Sequence, residues 1–164
     1  MTAGDLHETD FVAWTERQAA LLRTPVTERC SLALDWESLA EEIESLGRSY
    51  RRALANHVRK AIEYLLKLQY APANESRAAW IAGLDRERSE IEACLEDEPG
   101  LHPRLPEIIA KETRRAVRHV IHELALQGDD AAAAHVKMHR RFTEELVVSD
   151  WFPPSPGETD AAAD

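Results

Sequence analysis

His135 and His139 stand four residues apart, which puts two imidazoles on one face of any helix that carries them. Neighbouring imidazoles in that arrangement chelate a divalent metal. Met138, Phe142 and Leu146 share the face. His57, at the centre of an apolar stripe elsewhere in the chain, is the candidate third ligand, and a three-histidine site inside a helical bundle is sound chemistry. Against it, a histidine on an apolar face is more often a packed core or boundary residue. The paired E-x-x-H motifs of a carboxylate-bridged two-metal bundle are missing from the chain. His122 projects to solvent, and His119 only flanks its own stripe.

The stretch "EEIE", residues 41–44, offers carboxylates for a dyad or a metal. Helical geometry turns Glu37, Glu41 and Glu44 away from the apolar side and sets Glu42 at its edge. A solvated face with one structural ion pair accounts for that pattern better than a reactive site does. The expected pair is Glu42 with Arg88, because Arg88 falls beside the stripe Trp80, Leu84, Ile91 and Leu95, an odd place for a cation. If such a pair were well buried, losing one partner would cost about 3–5 kcal/mol.

Lys111, Arg114, Arg115, Arg118, Lys137, Arg140 and Arg141 could form an anion-binding surface. No aromatic residues interleave them as stacking on single strands requires, and no helix-turn-helix pattern is evident. A solvated face balancing nearby acids is the simpler reading. Nucleophilic catalysis has no signature: G-x-S-x-G, H-E-x-x-H and a familiar Cys–His spacing are all missing. Cys30 and Cys94 match neither a metal nor a redox spacing and read as reduced thiols.

The elements that must position these side chains are helices. The first spans about residues 8–23, with Thr9 or Asp10 as cap and Pro25 beyond its end. Residues 24–34 read as a linker. Asp35 caps the second helix, about 35–69, whose early acids and later bases suit the helix dipole. Its apolar positions run Trp36, Leu39, Ile43, Leu46, Tyr50, Leu54, His57, Ala61, Leu65 and Leu68, in steps of three or four. That is an amphipathic stripe in register for about five heptads, uninterrupted at Gly47. Straight, this helix is roughly 50 Å long, against about 40 Å for a compact domain of this size. It therefore bends, makes the domain elongated, or meets a partner at one end. "YAPANES" separates it from a third helix, about 76–96, which ends at "EDEPGLHP". A fourth, about 105–126, and a fifth, about 131–148, flank the turn "QGDD". Strand alternation, internal repeats and glycine-rich phosphate loops are not found.

The whole is an all-α, single-domain helical bundle of about five helices over residues 1–152 with one long central helix, followed by a disordered acidic tail at 153–164. The 164 residues, 44% of them hydrophobic and 30% charged, suit a globular protein. A net charge of −10 argues against indiscriminate nucleic-acid binding. No opening segment resembles a signal peptide and no window approaches a membrane span, so the expected location is the cytoplasm.

"DFVAW" (10–14), "LDWESLAEEIESLGRS" (34–49), "LLKLQYAP" (65–72) and Trp80 followed by "RSEI" (88–91) occur in that order. This series resembles the bacterial family catalogued as domain of unknown function 29. The resemblance covers about residues 8–100 and loosens from about Pro103. The family pattern commonly has Trp where this chain has Leu68, and often His where it has Tyr64. The resemblance implies a small, mainly helical protein and no chemistry. The sequence reading is therefore a non-enzymatic protein-interaction or adaptor module. It would bind a protein partner or self-associate, possess no cofactor, and touch neither nucleic acid nor membrane. The alternative is a metal-binding protein or metal-dependent enzyme using His57, His135 and His139.

Overall fold

The computed structural model describes residues 3–23, 36–72, 76–138 and 141–154. Among them the architecture is all-α: α1 (Ala3–Thr9), α2 (Phe11–Arg23), α3 (Trp36–Tyr70), α4 (Arg77–Asp97), a short 3-10 helix (Pro99–Arg104), α5 (Leu105–Leu126), α6 (Asp130–Met138) and α7 (Glu144–Val148). The linker at 24–34, the Asp35 cap, Cys30, His139 and the tail from 155 onward lie outside the described residues.

Two breaks raise the number of helices above the five expected. Asp10 interrupts the first: its carboxylate accepts from Ala13 N–H at 2.8 Å and so caps α2, while its own N–H still bonds Leu6 O at 2.9 Å. Thr143 does the same for α7, with extended backbone angles and its hydroxyl accepting from Leu146 N–H. The single helix expected over 131–148 is therefore two, α6 and α7.

The chain divides into two compact units, Met1–Ala53 with Cys94–Pro103 and Leu54–Ala93 with Arg104–Asp164. α3 gives its first half to one and its second half to the other.

In the first unit α1 packs on α2. Val12, Thr15 and Ala19 of α2 are buried, as are Ala40 and Gly47 of α3. The helices approach closely at Gly47, where a Cβ would fall 2.1 Å from Thr15 Oγ1. Ion pairs lace the same side of α3: Arg23 holds Glu37 and Glu44, each at 3.0 Å, and Arg51 holds Glu16. His7, Phe11, Trp14 and Tyr50 form an aromatic cluster.

In the second unit α3 supplies the core. Leu54, Val58, Ala61, Ile62, Leu65, Leu66 and Leu68 are wholly buried, at about 2–3 kcal/mol for each large side chain. Leu84 and Ile91 of α4 join them, with Leu105, Ile109, Ala116, Val120 and Leu124 of α5. α5 packs against α6 and α7. Lys67 and Glu123 tie α3 to α5 at 2.7 Å.

Among the described residues the apolar stripe of α3 is thus fully covered over its second half and only partly over its first. Leu39, Leu46 and Tyr50 are 41, 44 and 41% exposed. Over the first half the helix instead buries Ala40 and Gly47, about one helical step round from Leu39 and Leu46.

Candidate functional site

Three arrangements on this framework hold side chains capable of function. The first is a histidine–carboxylate pair in the second unit. His57 Nδ1 lies 2.7 Å from Glu87 Oε2, and Lys60 Nζ lies 3.4 Å from Glu87 Oε1. Glu87 is buried, at 5% exposure, and both of its oxygens are engaged. α3 supplies His57 and Lys60 from one face, three residues apart, and α4 supplies Glu87. The two helices also meet closely at Gly83, whose Cβ, if present, would lie 2.4 Å from the Tyr64 ring. A carboxylate on Nδ1 fixes the imidazole's orientation, as in the outer contacts of metal-bound histidines. Nε2 of His57 makes no hydrogen bond among the described residues. A similar but exposed pair, His119 Nδ1 with Glu63 at 2.9 Å, lies between α5 and α3.

The second arrangement centres on Arg88, which is 7% exposed. Its guanidinium donates from Nε to Val147 O at 3.0 Å, and from Nη2 to Leu146 O at 3.0 Å and Trp151 O at 2.8 Å. It also lies over the Phe152 ring, 5.1 Å from the centroid. Arg77 repeats the theme, donating to Leu68 O at 2.9 Å and Pro153 O at 2.6 Å. Two arginines of α4 therefore strap the C-terminal segment by its main chain. Burial lowers the Arg88 pKa, which Asp85 and Asp150 partly restore. Nη1 is buried with no partner among the described residues.

The third is the open stripe of α3. Leu39 and Leu46 point to solvent, Ile43 is half-buried between them, and Tyr50 touches Phe11 edge-on at 5.6 Å while keeping an exposed side. Glu42 borders the stripe and is exposed.

These positions bear directly on the residues singled out from sequence. Arg88 is buried, as its place in the stripe implied, but the Glu42 carboxylate is not among its hydrogen-bond partners. The carbonyls of α7 and the segment after it take that role, because a guanidinium needs acceptors and main-chain oxygens serve as well as a carboxylate. His57 pairs with Glu87. His135 is exposed on α6, and His139 is outside the described residues. Among the described residues no group of three His, Cys, Asp or Glu side chains is placed to hold a metal ion. Glu87 and Arg77 went unnoticed in the sequence, and Lys60 counted only among the later bases of its helix. Only Glu87, directly before Arg88 and so on the inner side of α4, carried a usable signal.

A helical protein of two packed units, built on one long amphipathic helix and a strapped C-terminal segment, is what the coordinates define. The family model described as domain of unknown function DUF29 matches residues 6–152, and the chain belongs to that family. The match reaches past Pro103 through α7, further than the motifs of the first hundred residues indicated. A crystal structure of an alpha-helical protein of unknown function from Rhodospirillum rubrum ATCC 11170 is similar, at 30% identity and a TM-score of 0.58 over 74% of this chain and 76% of that one. No curated protein matches. No helix among the described residues is long and apolar enough to cross a membrane.

Proposed function

We propose that this protein is a non-enzymatic interaction module that recognises another protein chain through the open face of α3. One observation carries the reading. Among the described residues, a single apolar stripe, continuous in spacing from Leu39 to Leu68, has its leucines wholly buried from Leu54 onward, whereas before it Leu39, Leu46 and Tyr50 stay partly open to water. Leucine in water gains nothing for the monomer, and covering a large apolar side chain is worth about 1.5–3 kcal/mol. A contiguous row of such residues marks a contact surface, and helical surfaces are read by i, i+3, i+4, i+7 anchors. The ion pairs of α2 hold the helix from its other side, and the aromatic cluster anchors it at Tyr50, so the surface is preformed. Capture from the native host tests the reading: a tagged wild-type chain retains a partner that the Leu39→Glu/Leu46→Glu variant loses, while far-UV circular dichroism stays unchanged. Equal capture by both chains contradicts it.

The His57–Glu87 bond favours a second reading, a divalent-metal site that uses Nε2 of His57, with His135 and His139 as the further ligands considered from sequence. Elemental analysis of tag-free protein decides it. Stoichiometric zinc, iron or manganese that disappears in His57→Ala supports this reading, and metal-free protein rejects it.

A further inference from the structure

We propose that the two arginines of α4 form a docking site for an extended, proline-bearing segment of another protein, and that the chain's own residues 149–154 fill this site as a tethered stand-in. The site does not depend on the open face of α3. Two features argue for it, the preset donors and the way the stand-in is held.

Arg77 and Arg88 stand eleven residues apart on α4, close to three full turns, so they share a face. Each is fixed by a helix end before it meets the stand-in. Arg77 Nη1 donates to Leu68 O at 2.9 Å, a carbonyl in the last turn of α3 that lacks an intrahelical donor because Pro72 has no N–H. Arg88 donates from Nε to Val147 O and from Nη2 to Leu146 O, the closing carbonyls of α7. Val147 is wholly buried, which anchors α7 in place. The guanidinium groups are therefore held by helices and keep their aim when residues 149–154 depart. Their remaining N–H groups reach the stand-in, Arg88 Nη2 at Trp151 O and Arg77 Nη2 at Pro153 O. Arg88 Nη1, buried and without a partner among the described residues, is a donor that the stand-in leaves unused.

The stand-in is held as a bound peptide is. Its carbonyls at alternate residues, Trp151 and Pro153, take the arginine donors, and among the described residues no N–H of 151–154 bonds to a helix. Pro153 is buried and Phe152 lies beneath the Arg88 guanidinium, whereas Trp151, the largest side chain, stays 42% exposed. Paired prolines keep the backbone extended and bring no donor that needs a partner. An extended chain read by its carbonyls and by one aromatic–proline step is the chemistry of proline-rich recognition, where the ligand loses little entropy on docking. So few anchors let a segment open without unfolding the rest.

Fluorescence anisotropy of a labelled peptide of residues 149–156, SDWFPPSP, with the full chain tests this. A tethered segment competes at an effective concentration on the order of 1 mM, so the wild type binds the peptide weakly. Phe152→Ala/Pro153→Ala in the chain loosens the stand-in and tightens peptide binding at least about tenfold. Adding Arg77→Met to that chain weakens binding again about tenfold, because a charge-assisted bond to the peptide is lost. A scrambled peptide binds none of the chains. Equal binding by the wild type and the loosened chain overturns the proposal, as does binding indifferent to Arg77→Met or no binding at all. Far-UV circular dichroism checks that each chain is folded. If the loosened chain is not, hydrogen exchange in the wild type decides: excess peptide speeds exchange at the amides of Trp151 and Phe152, and unchanged exchange overturns the proposal.

Discussion

Replacing Arg88 by methionine keeps most of the side chain's buried stem and removes its guanidinium. Three main-chain oxygens, those of Leu146, Val147 and Trp151, then lose their donor. A buried acceptor left without a partner costs about 1–3 kcal/mol. The low end suits this site, because the segment can swing toward water. Loss of the Phe152 stacking adds about 0.5–1 kcal/mol. Relief of guanidinium desolvation, visible in its lowered pKa, works in the opposite sense. The balance is a destabilisation of about 3 kcal/mol. Urea unfolding followed by far-UV circular dichroism measures it. Arg88→Lys should recover less than half, since an ammonium keeps the charge but lacks the planar fork that reaches three acceptors. Limited proteolysis should cut the variant first between α7 and Pro154, where the strap has been released. An Arg88→Met protein within about 0.5 kcal/mol of wild type, the range of ordinary surface changes, would refute the view that this arginine holds the C-terminal segment.

Two further outcomes follow from the first unit. Gly47→Ala should lower stability by about 1–3 kcal/mol despite alanine's better helix propensity, because its Cβ meets Thr15 Oγ1. Thr15→Ala in the same chain should return most of that loss, and a double-mutant cycle by urea unfolding reads the coupling. Glu98 is buried beside Asp10 and Asp97, and burial raises its pKa above the ordinary carboxylate value although Phe11 N–H donates to it. Its raised folded pKa means that the native state binds the proton more tightly than the unfolded chain. Stability therefore falls as pH rises from the ordinary glutamate range through the folded pKa. Glu98→Gln should raise Tm above that window and make no difference below it, as thermal melts across pH 3–8 would show.

The sequence made the helices plain because long apolar periods, caps and prolines act locally. Asp10 was legible as a cap, although not as a break, since Ala3–Thr9 carries little apolar pattern of its own. Thr143 was overlooked because the apolar spacing from Val136 through Phe142 to Leu146 carries on across it. The reading of α3 went astray for a different reason. Two seven-residue series run side by side along its first half, one of large residues (Leu39, Leu46) and one of small (Ala40, Gly47). Hydrophobicity selects the large series as core, whereas close helix packing selects the small one, and only the position of Thr15 shows which governs. The site was legible to the same limited degree. Arg88's burial could be inferred from its place in a stripe, but main-chain acceptors leave no trace in residue types. His57 was marked by its apolar surroundings, yet its pairing with Glu87 depends on how α4 lies against α3.

The central claim is that one helical stripe is core over its second half and open surface over its first. Urea unfolding of Leu46→Ala and Leu65→Ala compares the two halves with the same chemical change. The account predicts a loss of about 2–5 kcal/mol at Leu65 and less than about 0.5 kcal/mol at Leu46. Comparable losses at both positions would contradict it.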